Sequence, residues 1–207
     1  MRTEVSKKLL DINAVKIQAN NPFTWASGWK SPIYCDNRKI LSYPETRTYI
    51  RNCFVKLVKE IYPGAEVIAG VATGAIAHGA LVAETLGLPF VYIRSKPKGH
   101  GLENLIEGDL KAGQKVVIIE DLISTGISSL KAAEAVDKFG GDVVGMLAIF
   151  TYGFTHAKEN FEVAKIELTT LSDYPAVIDL ALANGDIDSE QVDTLMKWRE
   201  DPANWGK

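Results

Sequence analysis

The spacing of apolar positions changes twice along the chain. Val5, Leu9, Leu10, Ile12, Val15 and Ile17 recur at helical intervals and predict an N-terminal helix that breaks at Asn20-Asn21-Pro22. A second helix is predicted from Ser42-Tyr43-Pro44, with proline at an early helical position and Ile50, Phe54, Leu57, Val58 and Ile61 on one face. From there short apolar runs alternate with helical patterns. Residues 67–70, 90–93, 116–119 and 143–150 read as strands, with a short fifth at 166–168. Residues 75–86 read as a helix closed by Gly87, and 128–139 as one stopped by Gly140-Gly141. Residues 176–183 and 188–198 read as two further helices, with Asp188 and Gln191 as a capping pair. Strands this apolar, alternating with helices, predict an α/β fold: a mostly parallel sheet covered on both faces, with ligands at the C-terminal ends of its strands.

Composition narrows the picture. With 207 residues the chain suits one α/β domain, 1–207, with a small hood from the N-terminal segment, mainly 1–40. A formal charge of −3 and a pI near 5.7 count against a general nucleic-acid binder. No apolar run reaches the ~18 residues of a membrane span. Met1-Arg2-Thr3-Glu4 lacks an apolar signal core, so a cytoplasmic protein without a membrane partner is expected. Cys35 and Cys53 stand far apart with no metal-ligand spacing, and read as reduced structural thiols.

The candidate chemistry begins where the strand 116–119 runs into Glu120-Asp121 and then into Leu122-Ile123-Ser124-Thr125-Gly126-Ile127-Ser128. Small, hydroxyl-bearing residues at a helix N-terminus let backbone N–H groups converge on a phosphate. Carboxylates accept from hydroxyls and repel phosphates, so the pair points to a diol beside the phosphate, as in a ribose 5-phosphate. Neither a P-loop lysine motif nor a dinucleotide fingerprint is present. A second glycine-rich turn, Gly70-Val71-Ala72-Thr73-Gly74, also joins a strand to a helix, and it suits either close ligand approach or tight helix packing. Nearby His78 is given no catalytic role. Between Arg94 and Lys115 lie roughly twenty residues rich in glycine and cations, including Lys96, Lys98, Gly99, His100 and Gly101. A connection this long in a compact domain predicts a functional lid, about 95–113.

These residues resemble the phosphoribosyl pyrophosphate (PRPP) signature of the type I phosphoribosyltransferases. The resemblance implies that fold, with Glu120 and Asp121 on the ribose hydroxyls and Leu122 through Ser128 on the 5-phosphate. Glu120 stands where many members have Asp. Ala72, Thr73 and Gly74 are then the pyrophosphate turn, with an unusual peptide geometry near Ala72 and Thr73. Arg94, Lys98, His100 and Gly101 match the lid of the orotate-using members, although Ser95 replaces a second basic residue. In such members the lid crosses onto the neighbour's PRPP, which implies a homodimer.

Ser27-Gly28-Trp29-Lys30-Ser31-Pro32-Ile33-Tyr34 resembles their hood segment. It implies that Lys30 and Ser124 meet orotate, while Lys98, His100 and Asp121 carry catalysis. Mg²⁺ would be held mainly through PRPP, with no metal ligand assigned to the protein. The implied reaction joins the phosphoribosyl group to N1 of orotate, giving orotidine 5′-monophosphate and pyrophosphate. The chain departs from some relatives at Thr151-Tyr152-Gly153-Phe154, where they carry an arginine for the orotate carboxylate. A purine-base transferase and a PRPP-sensing regulator of the same fold are the alternatives. The first should lack the Lys30-Ser31-Pro32 hood, and the second normally needs a basic surface or an added domain.

Overall fold

The computed structural model describes residues 1–25, 27–96 and 105–206. Helix α1 (Arg2–Asp11) is shorter than the apolar spacing predicts, and Val15–Ile17 is strand β1. The break falls at Asn13, which takes φ +54, a left-handed conformation that asparagine tolerates better than most residues. Val15 and Ile17 satisfy a period of two as well as a helical one. Two short strands follow, β2 (Phe23–Thr24) and β3 (Lys30–Ser31), which pair with each other, and then β4 (Ile33–Cys35), which pairs antiparallel with β1. A 3₁₀ turn over Asn37–Ser42 leads into α2 (Pro44–Ile61), which starts at its proline as predicted.

The central sheet is built from β5 (Val67–Val71), β6 (Phe90–Ile93), β7 (Ile106–Glu107), β8 (Lys115–Ile123), β9 (Asp142–Thr151) and β10 (Leu168–Asp173). Its order is β10-β9-β8-β5-β6-β7, parallel throughout except for the antiparallel β7. Helices α3 (Ile76–Leu86), α4 (Ile127–Phe139), α5 (Thr155–Ala164), α6 (Tyr174–Asn184) and α7 (Ser189–Glu200) complete the chain. Gly87 and Gly140 close α3 and α4 in the left-handed region, and Asp188 with Gln191 forms a capping box on α7.

Two further expectations need correction, and one element was not expected. The fifth strand runs from Leu168 to Asp173 rather than 166–168, because Ile166 still donates its N–H to Phe161 at the exit of α5. The helix α5 itself carried no sequence expectation. The connection after Arg94 is not loop throughout 95–113. Ile106 and Glu107 pair with β6, Leu110 is buried, and Gly108 packs so close that a Cβ there would lie 2.9 Å from Val91 Cγ1.

Topology places the site. The crossover from β5 through α3 leads to β6 on one side, while that from β8 through α4 leads to β9 on the other. Right-handed crossovers running in opposite directions put α3 and α4 on opposite faces of the sheet. The strand order therefore reverses between β5 and β8, and a crevice opens beyond their C-terminal ends. The two strands beneath it are apolar at their centres, with Val67, Ile68, Val116, Val117, Ile118 and Ile119 all fully buried.

Candidate active site

Strand β8 continues past its neighbour. Its pairing with β5 ends at Gly70 opposite Ile119, whereas its pairing with β9 runs on to Ile123 opposite Thr151. Glu120 and Asp121 thus lie within β8, rather than after it as the apolar run 116–119 suggests, with one flank open to the turn that follows β5. Successive strand residues point to opposite faces, so the two acids diverge.

Glu120 turns inward and is buried. Its Oε1 accepts from the Asp121 N–H at 2.9 Å, and its Oε2 accepts from the Ser129 hydroxyl of α4 at 2.8 Å. Burial, and then the neighbouring Asp121 carboxylate, push its pKa well above the usual range. Asp121 turns the other way, half-buried, against Gly74. A Cβ on Gly74 would overlap the Asp121 carboxylate, so only glycine lets the turn pass this close.

Two backbone turns face this acid pair. In the first, Val71, Ala72, Thr73 and Gly74 line the cleft and the Ala72–Thr73 peptide bond is cis, in keeping with the unusual geometry expected there. In the second, Gly126 holds φ +78 at the N-cap of α4, which has no side-chain cap. The first N–H groups of α4 are left to point at a ligand. A Cβ on Gly126 would lie 2.8 Å from Phe161 Cε2. Asn160 steadies the turn by donating to the Thr125 carbonyl at 3.1 Å.

Together these elements enclose a cleft of about 990 Å³, at the upper end of the range for small-molecule sites. Leu122, Thr125, Ile127 and Ser128 line it with the acids, while Ile123 is fully buried and can offer only backbone. Arg94 stands at the rim, its Nη1 donating to Glu107 Oε1 at 3.2 Å. Lys98, His100 and Gly101 lie outside the described residues.

Ser124 and Lys30 are not among the lining residues. Lys30 is exposed and donates to Thr24 Oγ1 at 2.9 Å, which keeps its ammonium on the hood hairpin.

The structure adds residues that the sequence reading left without a role. Asn37 is buried, lines the cleft and donates through Nδ2 to the Asp121 carbonyl at 2.6 Å, tying the hood to the acid strand. Cys35 also lines the cleft, but burial, Asp121 and Asp36 push its thiol well up, so it stays protonated. Arg38 lines the cleft beside Asp36, to which its Nε donates at 2.6 Å, holding that carboxylate below its usual range. Lys131, one helical turn beyond Ile127, adds a cation on the same face of α4. That spacing was the available sequence signal for it.

The donor set suits Mg²⁺ held chiefly by substrate. Among the described residues no three acidic, histidine or cysteine side chains gather as a metal cage. Mg²⁺ commonly takes one or two carboxylates and completes its shell with phosphates and water, and Asp121 offers that much.

Comparison with known proteins agrees with this geometry. Residues 38–180 match the phosphoribosyl transferase domain. The orotate phosphoribosyltransferase of Porphyromonas gingivalis is 59% identical, covering 98% of this chain and 96% of its own. That of Streptococcus mutans is 54% identical over 98% of this chain and 97% of its own. The crystal structure of orotate phosphoribosyltransferase from Aeropyrum pernix superposes with a TM-score of 0.77 at 26% identity, covering 89% of this chain and 99% of that one. The acid pair between two glycine-bearing turns and the near-complete overlap with these relatives lead to one assignment: the chain belongs to the orotate phosphoribosyltransferases, within the phosphoribosyl transferase family.

Proposed function

We propose that the chain transfers the 5-phosphoribosyl group of PRPP to N1 of orotate, giving orotidine 5′-monophosphate and pyrophosphate, a step in the making of UMP. The observation that carries this reading is the meeting, around one cleft, of Asp121, the Val71–Gly74 turn and the uncapped N-terminus of α4. That is a diol acceptor between two backbone cradles for phosphate.

Glu120 and Asp121, which both line the cleft, accept hydrogen bonds from the ribose hydroxyls and fix the sugar across the end of the sheet. The N–H groups that open α4, with Thr125 and Ser128, hold the 5-phosphate. The backbone of Ala72, Thr73 and Gly74 faces the pyrophosphate. Glu120 acts from below by gripping Ser129 and the Asp121 N–H, which sets the phosphate turn against the sugar site.

As pyrophosphate departs, positive charge builds at the anomeric carbon while negative charge builds on the leaving group. Arg94 at the rim, with Lys98 and His100 of the lid, neutralises the latter. Mg²⁺ held with PRPP beside Asp121 would supply further positive charge on that side. On this reading, closure of the lid would keep water from the activated ribose. Lys30 and Ser124 remain the candidates for the orotate side, the first through the hood hairpin it anchors to Thr24. The working unit on this reading is a cytoplasmic homodimer in which each lid serves the partner's site.

The test is to mix the protein with PRPP, Mg²⁺ and orotate and follow loss of orotate absorbance. Consumption that stops when PRPP or Mg²⁺ is withheld supports the transferase. Turnover of adenine or xanthine instead would move the chain to the purine-using branch. Lys98→Ala should lower kcat by about a hundredfold with little change in orotate KM, and an unchanged kcat would remove Lys98 from the lid chemistry.

A further inference from the structure

The end of α7 joins two segments that lie next to cleft-lining residues and are far apart in sequence: the hood hairpin, which leads through β4 to Cys35, and the exit of β9. Trp198 is fully buried, and its Nε1 donates to the carbonyl of Lys30 on β3 at 3.0 Å. Its ring meets Trp25 of the hood edge-on at 5.5 Å and Tyr152 edge-on at 5.8 Å. The next residue, Arg199, reaches the exit of β9. Its Nε donates to the Tyr152 carbonyl at 3.1 Å and its Nη2 to the Gly153 carbonyl at 3.0 Å, while its guanidinium lies over the Tyr174 ring at 5.7 Å. Tyr152 in turn donates its N–H to Ile123, one residue before Ser124. Both α7 and the hood hairpin fall outside the matched domain, residues 38–180, so that match contains neither half of this contact.

We propose that Trp198 and Arg199 are positioning residues for recognition of the pyrimidine ring. From one helix end they fix the hood hairpin carrying Lys30 and the Tyr152-Gly153 turn, which stands where some relatives place a base-contacting arginine. The planar, two-pronged guanidinium can hold two adjacent carbonyls at once, and it spends those donors on shaping the turn rather than on the ligand. The chain thereby replaces a direct cationic contact to the base with a rigid backbone frame around it. This inference rests on the reading that the hood side of the cleft takes the base.

Steady-state kinetics on the full chain tests it with two conservative variants. Trp198→Phe keeps a buried ring and deletes the N–H, leaving the Lys30 carbonyl without that donor. Arg199→Lys keeps the charge and loses the fork. Each should raise the KM for orotate about fivefold or more, while the KM for PRPP stays within about twofold. The doubly substituted chain should show the same selectivity, enlarged. Orotate and PRPP constants rising together, or neither moving in either variant, would overturn the inference. Arg199 is only partly buried, so Arg199→Lys decides the matter if Trp198→Phe does not fold. Turnover of orotate by the unsubstituted chain is scored first and separately, so a protein that uses a different base gives a different result from one whose frame is idle.

Discussion

The cleft and the aromatic region beside it are held by different physics. The wall proposed for ribose and phosphate, the ribose-phosphate wall on that reading, is made where β5 and β8 end, and its parts sit on or just beyond a hydrogen-bonded ladder. The region proposed for the base, the base wall on that reading, lies beside the cleft where β2, β3, the exit of β9 and the end of α7 meet. It is held by an aromatic cluster of Trp25, Tyr152, Phe154, Tyr174 and Trp198 rather than by a sheet. A ladder positions groups through backbone, so its side chains are free to serve the ligand. A cluster positions groups through packing, so its side chains are consumed in building. The contrast explains why Tyr152 is 2% exposed and cannot reach a ligand, although it lies beside the cleft.

Breaking the cluster should produce the largest single effect on stability. Trp198→Ala removes the ring that all four other aromatics touch, and large-to-small changes of this kind cost about 3–5 kcal/mol. Denaturant unfolding should show that loss, and a change under ~1 kcal/mol would mean that α7 merely rests on the core. The ribose-phosphate wall should answer in the opposite way. Asp121→Asn removes a charge from a half-buried side chain without removing volume, so the unfolding midpoint should hold while kcat/KM for PRPP falls by about a hundredfold. If both properties fell together, Asp121 would be part of the scaffold rather than of the site.

A smaller effect separates conformation from chemistry within the ladder wall. Gly126→Ala forces a Cβ onto a residue at φ +78 and toward the Phe161 ring. The left-handed cost of about 1 kcal/mol and the displaced ring together predict a loss of roughly 2 kcal/mol. Phosphate affinity should weaken in the same variant, because the N–H groups that open α4 move with residue 126. Retained stability with weakened phosphate binding would show that Phe161 yields freely.

How much of this was legible follows the same division. The motif strand, the two glycine-bearing turns and the parallel sheet could be read because their residues are contiguous, and local apolar runs mark the strands. Even there the reading stopped short. Nothing in the run 116–119 shows that β8 outlasts β5 and carries Glu120 and Asp121 to opposite faces, since that depends on where the neighbouring strands end. The base wall was legible only as a list of aromatic residues. The contact of Trp198 with Lys30 spans 168 positions, and no periodicity reports a pairing at that distance. Asn37 was hidden for the same reason, since its partner carbonyl on Asp121 is 84 residues away.

One polar residue sits awkwardly beneath the ladder wall and sets the smallest of the expected effects. His78 on α3 is 1% exposed, and neither ring nitrogen finds a hydrogen-bond partner among the described residues. Burial, and then the charge of Arg47, lower its pKa from 6.5 to about 4. The sign of the consequence is fixed by where protons bind. Above about pH 7 the ring is neutral whether the chain is folded or not, so it costs no proton-linked stability. Between pH 6.5 and 4 the unfolded chain takes up the proton and the folded chain refuses it, so stability falls with acidification. Allowing for relaxation around the ring, the loss by pH 5 should be about 1–2 kcal/mol. Carboxylates held low in the folded state, such as Asp36, add their own loss only at more acidic pH. His78→Leu should therefore remove a decline from the unfolding free energy between pH 7 and pH 5, where proton uptake by buried Glu120 acts in the opposite direction in both chains, while leaving the acid limb below that range in place. An equal slope in both chains would mean that the histidine finds a partner for its proton inside the fold.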